Sequence, residues 1–118
     1  MKRKIAKLII DFYQSKGVKD VFLLTGGAIA FIADEVRKNK AMRYIPAMHE
    51  QGAAMMSDGY FRISSRPSLC LATSGPGATN LITGIACSWY DSIPNIFITG
   101  QVRSDEIRSL KNKTNKIR

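Results

Sequence analysis

The chain has 118 residues and a mass of 13.1 kDa, room for one domain and not for two. Hydrophobic residues at 45% and charged residues at 23% exclude a disordered or fibrous chain and predict a packed, soluble domain. A net charge of +9 and a pI of 9.9 raise nucleic-acid binding, but the basic residues gather at Met1-Lys2-Arg3-Lys4 and from Lys111 to Arg118. Such end-loaded charge reads as solvated surface and tail, with no nucleic acid as partner.

At the amino terminus, basic residues precede Ile5-Ala6-Lys7-Leu8-Ile9-Ile10 in the manner of a signal peptide. Lys7 and Asp11 interrupt the run, and no small-residue cleavage site follows. Ile5, Leu8, Ile9 and Phe12 instead fall at i, i+3, i+4 and i+7, which predicts a helix with these four on its inner face. Gly17 closes it. Val21-Phe22-Leu23-Leu24 predicts a short buried strand, after which Gly26-Gly27 turns the chain into a second helix with Ile29, Ile32, Ala33 and Val36 on one face. Arg43 to Met48 is a weaker strand because Pro46 cannot donate a ladder hydrogen bond. An alanine- and methionine-rich helix is expected from about Glu50 to Ile63.

Leu69-Cys70-Leu71-Ala72-Thr73 is the next apolar strand, broken by Ser74-Gly75-Pro76-Gly77. Pro76 suits a helix start, where its missing N–H costs nothing. Ala78, Leu81, Ile82, Ile85 and Trp89 then mark a helical face. Ile96-Phe97-Ile98-Thr99 is the last strand, ended by Gly100-Gln101, and a polar, partly helical stretch is expected beyond. No segment approaches the roughly 18 apolar residues of a membrane span, so the expectation is a soluble cytoplasmic protein without a membrane partner.

Short apolar strands without alternation, interleaved with helices, predict an α/β fold: an open parallel sheet with helices on both faces. All strand carboxyl ends then lie along one edge, where ligands bind in such folds. The Gly26-Gly27 turn, Glu50, the Ser74-to-Gly77 loop and Gly100-Gln101 each follow a strand and belong to that edge. Cys70 and Cys87 have neither zinc-knuckle nor redox spacing and read as small buried thiols. His49 is the only histidine, so a metal site within this chain is not expected.

Gly75-Pro76-Gly77 with Asn80 matches part of the dinucleotide fingerprint. The third glycine is missing, and no acid stands about 20 residues on at the end of a following strand. Glu50 opening a helix could be no more than a dipole-stabilised glutamate. Its surroundings argue otherwise. His49-Glu50-Gln51-Gly52-Ala53-Ala54 through Arg62, Thr73-Ser74-Gly75-Pro76-Gly77-Ala78-Thr79-Asn80-Leu81, and Asp91-Ser92-Ile93-Pro94 ending in Ile98-Thr99-Gly100-Gln101-Val102 resemble, in order and spacing, the thiamine-diphosphate enzymes. The likeness is greatest to the large catalytic subunit of acetolactate synthase and runs from about Ile5 to Val102.

The resemblance implies a pyrimidine-binding domain over residues 1–118, truncated at its carboxyl end. It also implies a diphosphate-binding domain outside this chain that holds the diphosphate and its Mg2+, contributed across the interface of a homodimer. The implied activity is condensation of pyruvate with a second 2-oxo acid in branched-chain amino-acid biosynthesis. The isolated chain would be inactive. Alternatives are another thiamine-diphosphate decarboxylase or lyase, or a non-catalytic free-standing domain.

Residue by residue, the resemblance makes Glu50 the catalytic acid and Gly26, Gly27, Glu50, Thr73, Pro76 and Asn80 the cofactor-binding set. The cofactor's reactive carbon needs a base held close to it. Its own aminopyrimidine becomes that base when a carboxylic acid shares a proton with N1′. Glu50 should therefore have a raised pKa, supplied by burial in the cofactor-filled cleft against the opposing pull of the helix amino terminus. Thr25 and Arg103 depart from prolines common in acetolactate synthases near the substrate entrance. Trp89, Tyr90, Met55 and Met56 are expected to be packing residues.

Overall fold

A computed structural model describes residues 4–102. Arg103, the expected helical stretch after Gln101 and the basic tail lie outside the described residues. The elements are α1 (Ile5–Ser15), β1 (Asp20–Leu23), a 3-10 turn (Gly27–Ile29), α2 (Ala30–Lys38), β2 (Arg43–Pro46), α3 (Glu50–Ser64), β3 (Leu69–Ala72), α4 (Pro76–Asn80), α5 (Ile82–Tyr90) and β4 (Ile96–Thr99). The four strands form one sheet in the order β2-β1-β3-β4, and every neighbouring pair is parallel. The expected α/β architecture is present.

Side chains of the two central strands divide between two cores. Val21 and Leu23 of β1 and Leu69 and Leu71 of β3 face a core with Ile10, Val18, Ile29, Ile32, Val36 and Met42. Phe22, Cys70 and Ala72 point the other way, to Ala53, Ala54 and Leu81. Both faces are therefore covered, which is why these strands lack polar alternation. Gly17, at φ +86°, takes the left-handed conformation that ends α1 and turns the chain into β1. Pro46 closes β2, a strand at the sheet's edge, where a missing N–H is tolerated.

Two helices bury other faces than their apolar spacing predicts. In α1, Ile5, Leu8 and Phe12 are exposed, while Ile10 is buried and Ala6, Ile9 and Tyr13 pack beside it. The apolar stripe covers more than half the helix, and the 6-9-10-13 strip meets α2 and the sheet. In α5, Leu81 just before it is buried, but Ile82 and Trp89 are exposed; the helix turns Gly84 and Ser88 inward. The reason is space. A Cβ on Gly84 would stand 2.2 Å from that of Ala54, so only small residues fit where α5 meets α3. Trp89 and Tyr90 consequently do not pack in this core, and Met55 and Met56 are only partly covered. Of the two cysteines, Cys70 is fully buried and Cys87 half-buried.

Candidate functional site

The strand order reverses between β1 and β3, since the chain steps outward from β1 to β2 and returns on the other side to β3. Beyond the carboxyl ends of two such strands the loops diverge and leave a crevice. Gly26 follows β1 and Thr73 follows β3, and they touch: a Cβ on Gly26 would stand 2.4 Å from that of Thr73. Gly26 thus lets the two loops close on one another at the floor of the crevice.

Glu50 is the first residue of α3, only 7% exposed. His49 caps the helix, its Nδ1 accepting the Gln51 N–H at 3.1 Å. The chain's single histidine is thereby used in holding the helix start. Pro76 begins α4 at its first turn, as expected, and Gly75 before it sits at φ +65°. This sharp entry presents α4 to Glu50. The Asn80 side-chain amide donates to Glu50 Oε2 at 3.0 Å. A Cβ on Gly77 would stand 3.2 Å from Glu50 Oε1 and 2.7 Å from Thr73 Cγ2. A bare backbone therefore lies against the carboxylate.

Glu50, Thr73, Asn80 and Gly26 are therefore gathered into one place. Gly27 makes no such close approach: it is exposed and, together with Gly26, lines an open cleft of about 410 Å3 with Thr25, Ala30, Arg37 and Tyr44 on the β2 side. Pro76 is exposed and shapes the entry to α4. Gly77 was not singled out from the sequence as a site residue, although its place directly after Pro76, facing the loop from β3, was a usable signal. Gly100, expected on the ligand edge but not among the cofactor-binding set, lies against Ala28, where a Cβ would meet Ala28 Cβ at 2.6 Å.

The raised pKa expected of Glu50 belongs to the cofactor-filled cleft; in the chain by itself the shift runs the other way. The Asn80 amide, as the largest influence, holds the Glu50 carboxyl below its ordinary value; burial acts the other way and is outweighed, and the helix's own N–H and His49 add to the lowering. The acid is a carboxylate answered by a neutral amide. Among the described residues, no three His, Cys, Asp or Glu side chains cluster as a metal ion would require, and no helix is long and apolar enough to cross a membrane. A buried acid with a neutral amide partner, at the carboxyl ends of a parallel sheet, fits the pyrimidine end of a thiamine group. The described residues offer nothing that fits magnesium.

Comparison with known proteins identifies the family. Residues 3–117 match the family model "Thiamine pyrophosphate enzyme, N-terminal TPP binding domain", thiamine pyrophosphate and thiamine diphosphate being one compound. The chain is 44% identical over 102 residues to acetolactate synthase isozyme 1 large subunit of Escherichia coli (strain K12), covering 86% of this chain and 18% of that protein. It is 48% identical over 97 residues to the acetolactate synthase large subunit of Cyanidium caldarium, covering 80% and 17%. It is 42% identical over 100 residues to acetolactate synthase 3, chloroplastic, of Brassica napus, covering 85% and 15%. The chain thus spans less than a fifth of the length of these relatives. With nearly every residue inside the family match, the chain belongs to the thiamine pyrophosphate enzymes and carries their N-terminal, thiamine-pyrophosphate-binding domain.

Proposed function

We propose that residues 1–118 form the part of an acetolactate-synthase-type carboligase that grips the aminopyrimidine ring of thiamine diphosphate, with Glu50 as the acid facing N1′. The observation that carries this is Glu50 itself: a carboxyl only 7% exposed, at the strand-order reversal of a parallel sheet, held by a neutral amide and not by a cation. An acid already neutralised by an arginine has little left for a ligand. Gly26, Thr73, Gly77 and Asn80 line the crevice, Pro76 sets the entry to α4, and Gly27 opens toward the neighbouring cleft.

Bound thiamine diphosphate supplies a carbon nucleophile that adds to the carbonyl of a 2-oxo acid. Glu50 shares a proton with the ring nitrogen, Asn80 orients the carboxyl, and the missing side chains at Gly26 and Gly77 let Thr73 pack close beside the acid. A ring seated here excludes water from the 7% of Glu50 still exposed, and so moves the carboxyl toward its protonated form. The proposed reaction is condensation of pyruvate with a second 2-oxo acid toward branched-chain amino acids, in the cytoplasm. The diphosphate and Mg2+ would be held by a diphosphate-binding domain or subunit, with the parent enzyme a homodimer. Thr25, which lines the cleft beside Gly27, stands where a proline is common in acetolactate synthases, and leaves a different 2-oxo acid as the competing substrate.

Calorimetry of the 118-residue chain with thiamine diphosphate, with and without magnesium, tests the assignment. Binding weaker than micromolar and indifferent to magnesium is expected, falling about tenfold in Glu50→Gln through loss of one charge-assisted hydrogen bond. Micromolar, magnesium-dependent affinity, or acetolactate formed from pyruvate, would mean that the diphosphate site lies within these residues. In the chain joined to a diphosphate-binding domain, Glu50→Gln should also slow deuterium exchange at C2 of the cofactor severely. An unchanged exchange rate would remove Glu50 from the chemistry.

A further inference from the structure

Helix α3 and the run from α4 into α5 meet at three levels, each one helical turn below the last. At the top, the Asn80 amide donates to Glu50 at 3.0 Å. Four residues on in both helices, Gly84 lies against Ala54, so close that a Cβ on Gly84 would stand 2.2 Å from Ala54 Cβ. Four residues further, the Ser88 hydroxyl donates to Asp58 Oδ2 at 3.3 Å. The same step on both sides means that the helices run parallel in fixed register. Leu81, between α4 and α5, keeps helical dihedrals (φ −77°, ψ −20°), so Asn80 and Gly84 follow one path.

The lowest level is anchored from several directions. Arg62 Nε donates to Asp58 Oδ1 at 2.5 Å, and its NH2 group holds Asp91 just past the end of α5. The Ser88 hydroxyl accepts from the Asn95 amide at 3.5 Å, Ser68 donates to Asn95 at 3.4 Å, and Ser57 and Ser68 share a hydrogen bond of 2.6 Å. The two helices are thus pinned to each other and to the start of β3, at the sheet edge opposite the crevice.

We propose that the Ala54–Gly84 contact and the Asp58–Ser88 bond are positioning elements that set the reach between Glu50 and Asn80. Carbon atoms rest about 3.5–4.0 Å apart, so a methyl on Gly84 must drive the helices apart by roughly 1.5 Å. A 3.0 Å bond one turn above would then exceed hydrogen-bond range. That the pair so held is the catalytic one rests on the reading under Proposed function. The geometric claim does not, and its test needs no cofactor.

The side-chain amide of Asn80, followed by nitrogen-15 NMR across the acid range in the 118-residue chain, reports the titration of Glu50. Among the described residues, His49 is the titratable group that bears on Glu50, while Asn80, Thr73 and Gly77 add no charge. In Gly84→Ala the midpoint should rise toward that of an ordinary carboxyl, and the Asn80 response should shrink. The swap Ala54→Gly with Gly84→Ala moves the methyl to the other helix and should restore both. Gly59→Ala, also on α3 but with nothing within 4 Å of the added carbon, should leave both unchanged. If Gly84→Ala does not fold, Ser88→Ala, which adds no volume, should move the midpoint the same way by a smaller amount. An unmoved midpoint in the folded Gly84→Ala or Ser88→Ala chain, or a swap that fails to restore it, overturns the proposal whether or not thiamine diphosphate binds.

Discussion

Two acids are buried at opposite edges of the same sheet, and they are kept in different ways. Asp20, the first residue of β1, is wholly buried, and Arg43, its register partner on β2, reaches it at 2.5 Å. Burial pushes the Asp20 carboxyl up, but the Arg43 guanidinium and the Tyr60 hydroxyl together hold it below its ordinary value. Glu50, at the carboxyl-end edge, is lowered mainly by the uncharged Asn80 amide. The first acid is neutralised in place and ties strands together. The second stands against an uncharged partner and stays 7% open to solvent. Depth of burial alone does not tell these two acids apart; the charge of the partner does.

The largest test of this contrast is Arg43→Ala, which strands the Asp20 carboxylate. Removing one partner of an ion pair leaves the buried carboxylate uncompensated; because Arg43 is itself 71% exposed, solvent screening softens the loss, which should still be the largest of the set in urea unfolding. Asp20→Ala should cost less, since the freed guanidinium is already in water. Equal losses, or the reverse order, would show that Asp20 is not the desolvated member. At the other edge Asn80→Ala should cost about 1 kcal/mol, the net worth of one hydrogen bond, and the Glu50 carboxyl should titrate higher.

Acid sensitivity sharpens the same comparison. Both carboxyls are depressed on folding, so each contributes stability that is present above its unfolded value and lost as the pH falls through its folded value. Unfolding free energy should decline below about pH 4, and the decline should be shallower in both Asp20→Asn and Glu50→Gln. A slope unchanged in one of them would mean that its carboxyl keeps its unfolded value. The smallest effect concerns salt. Raising sodium chloride to half molar should weaken the Arg43 contribution slightly, while leaving that of Asn80 unmoved, because only the first is a pair of charges.

How much of this was legible in the sequence depended on whether a feature was local. The glycine turn after β1, Pro76 at a helix start and Glu50 at the head of α3 follow from adjacent residues, and the structure has them where the chain order puts them. The inward face of a helix does not follow that way. Ile5, Leu8 and Phe12 form as good an apolar stripe as the residues that α1 buries, and Ile82 and Trp89 outweigh Gly84 and Ser88 on any hydrophobic scale. What decides is how near the neighbour comes, and that depends on Ala54, thirty positions away from Gly84. That Glu50 is lowered in the chain by itself was hidden for the same reason, since it turns on Asn80 in another helix.

The two thiols, so different in their surroundings, make this chain its own clock for opening. Cys70 sits at the middle of β3 without exposure, and burial pushes its thiol up to about 12. Only the thiolate reacts readily with alkylating reagents, so Cys70 can be labelled only when the sheet itself comes apart. Cys87, half-buried on α5, is already partly open to reagent, and its labelling quickens when that one helix lifts. The interval between the two labelling rates is then a direct measure of how far α5, which continues from the helix that bears Asn80, moves independently of the strands beneath it.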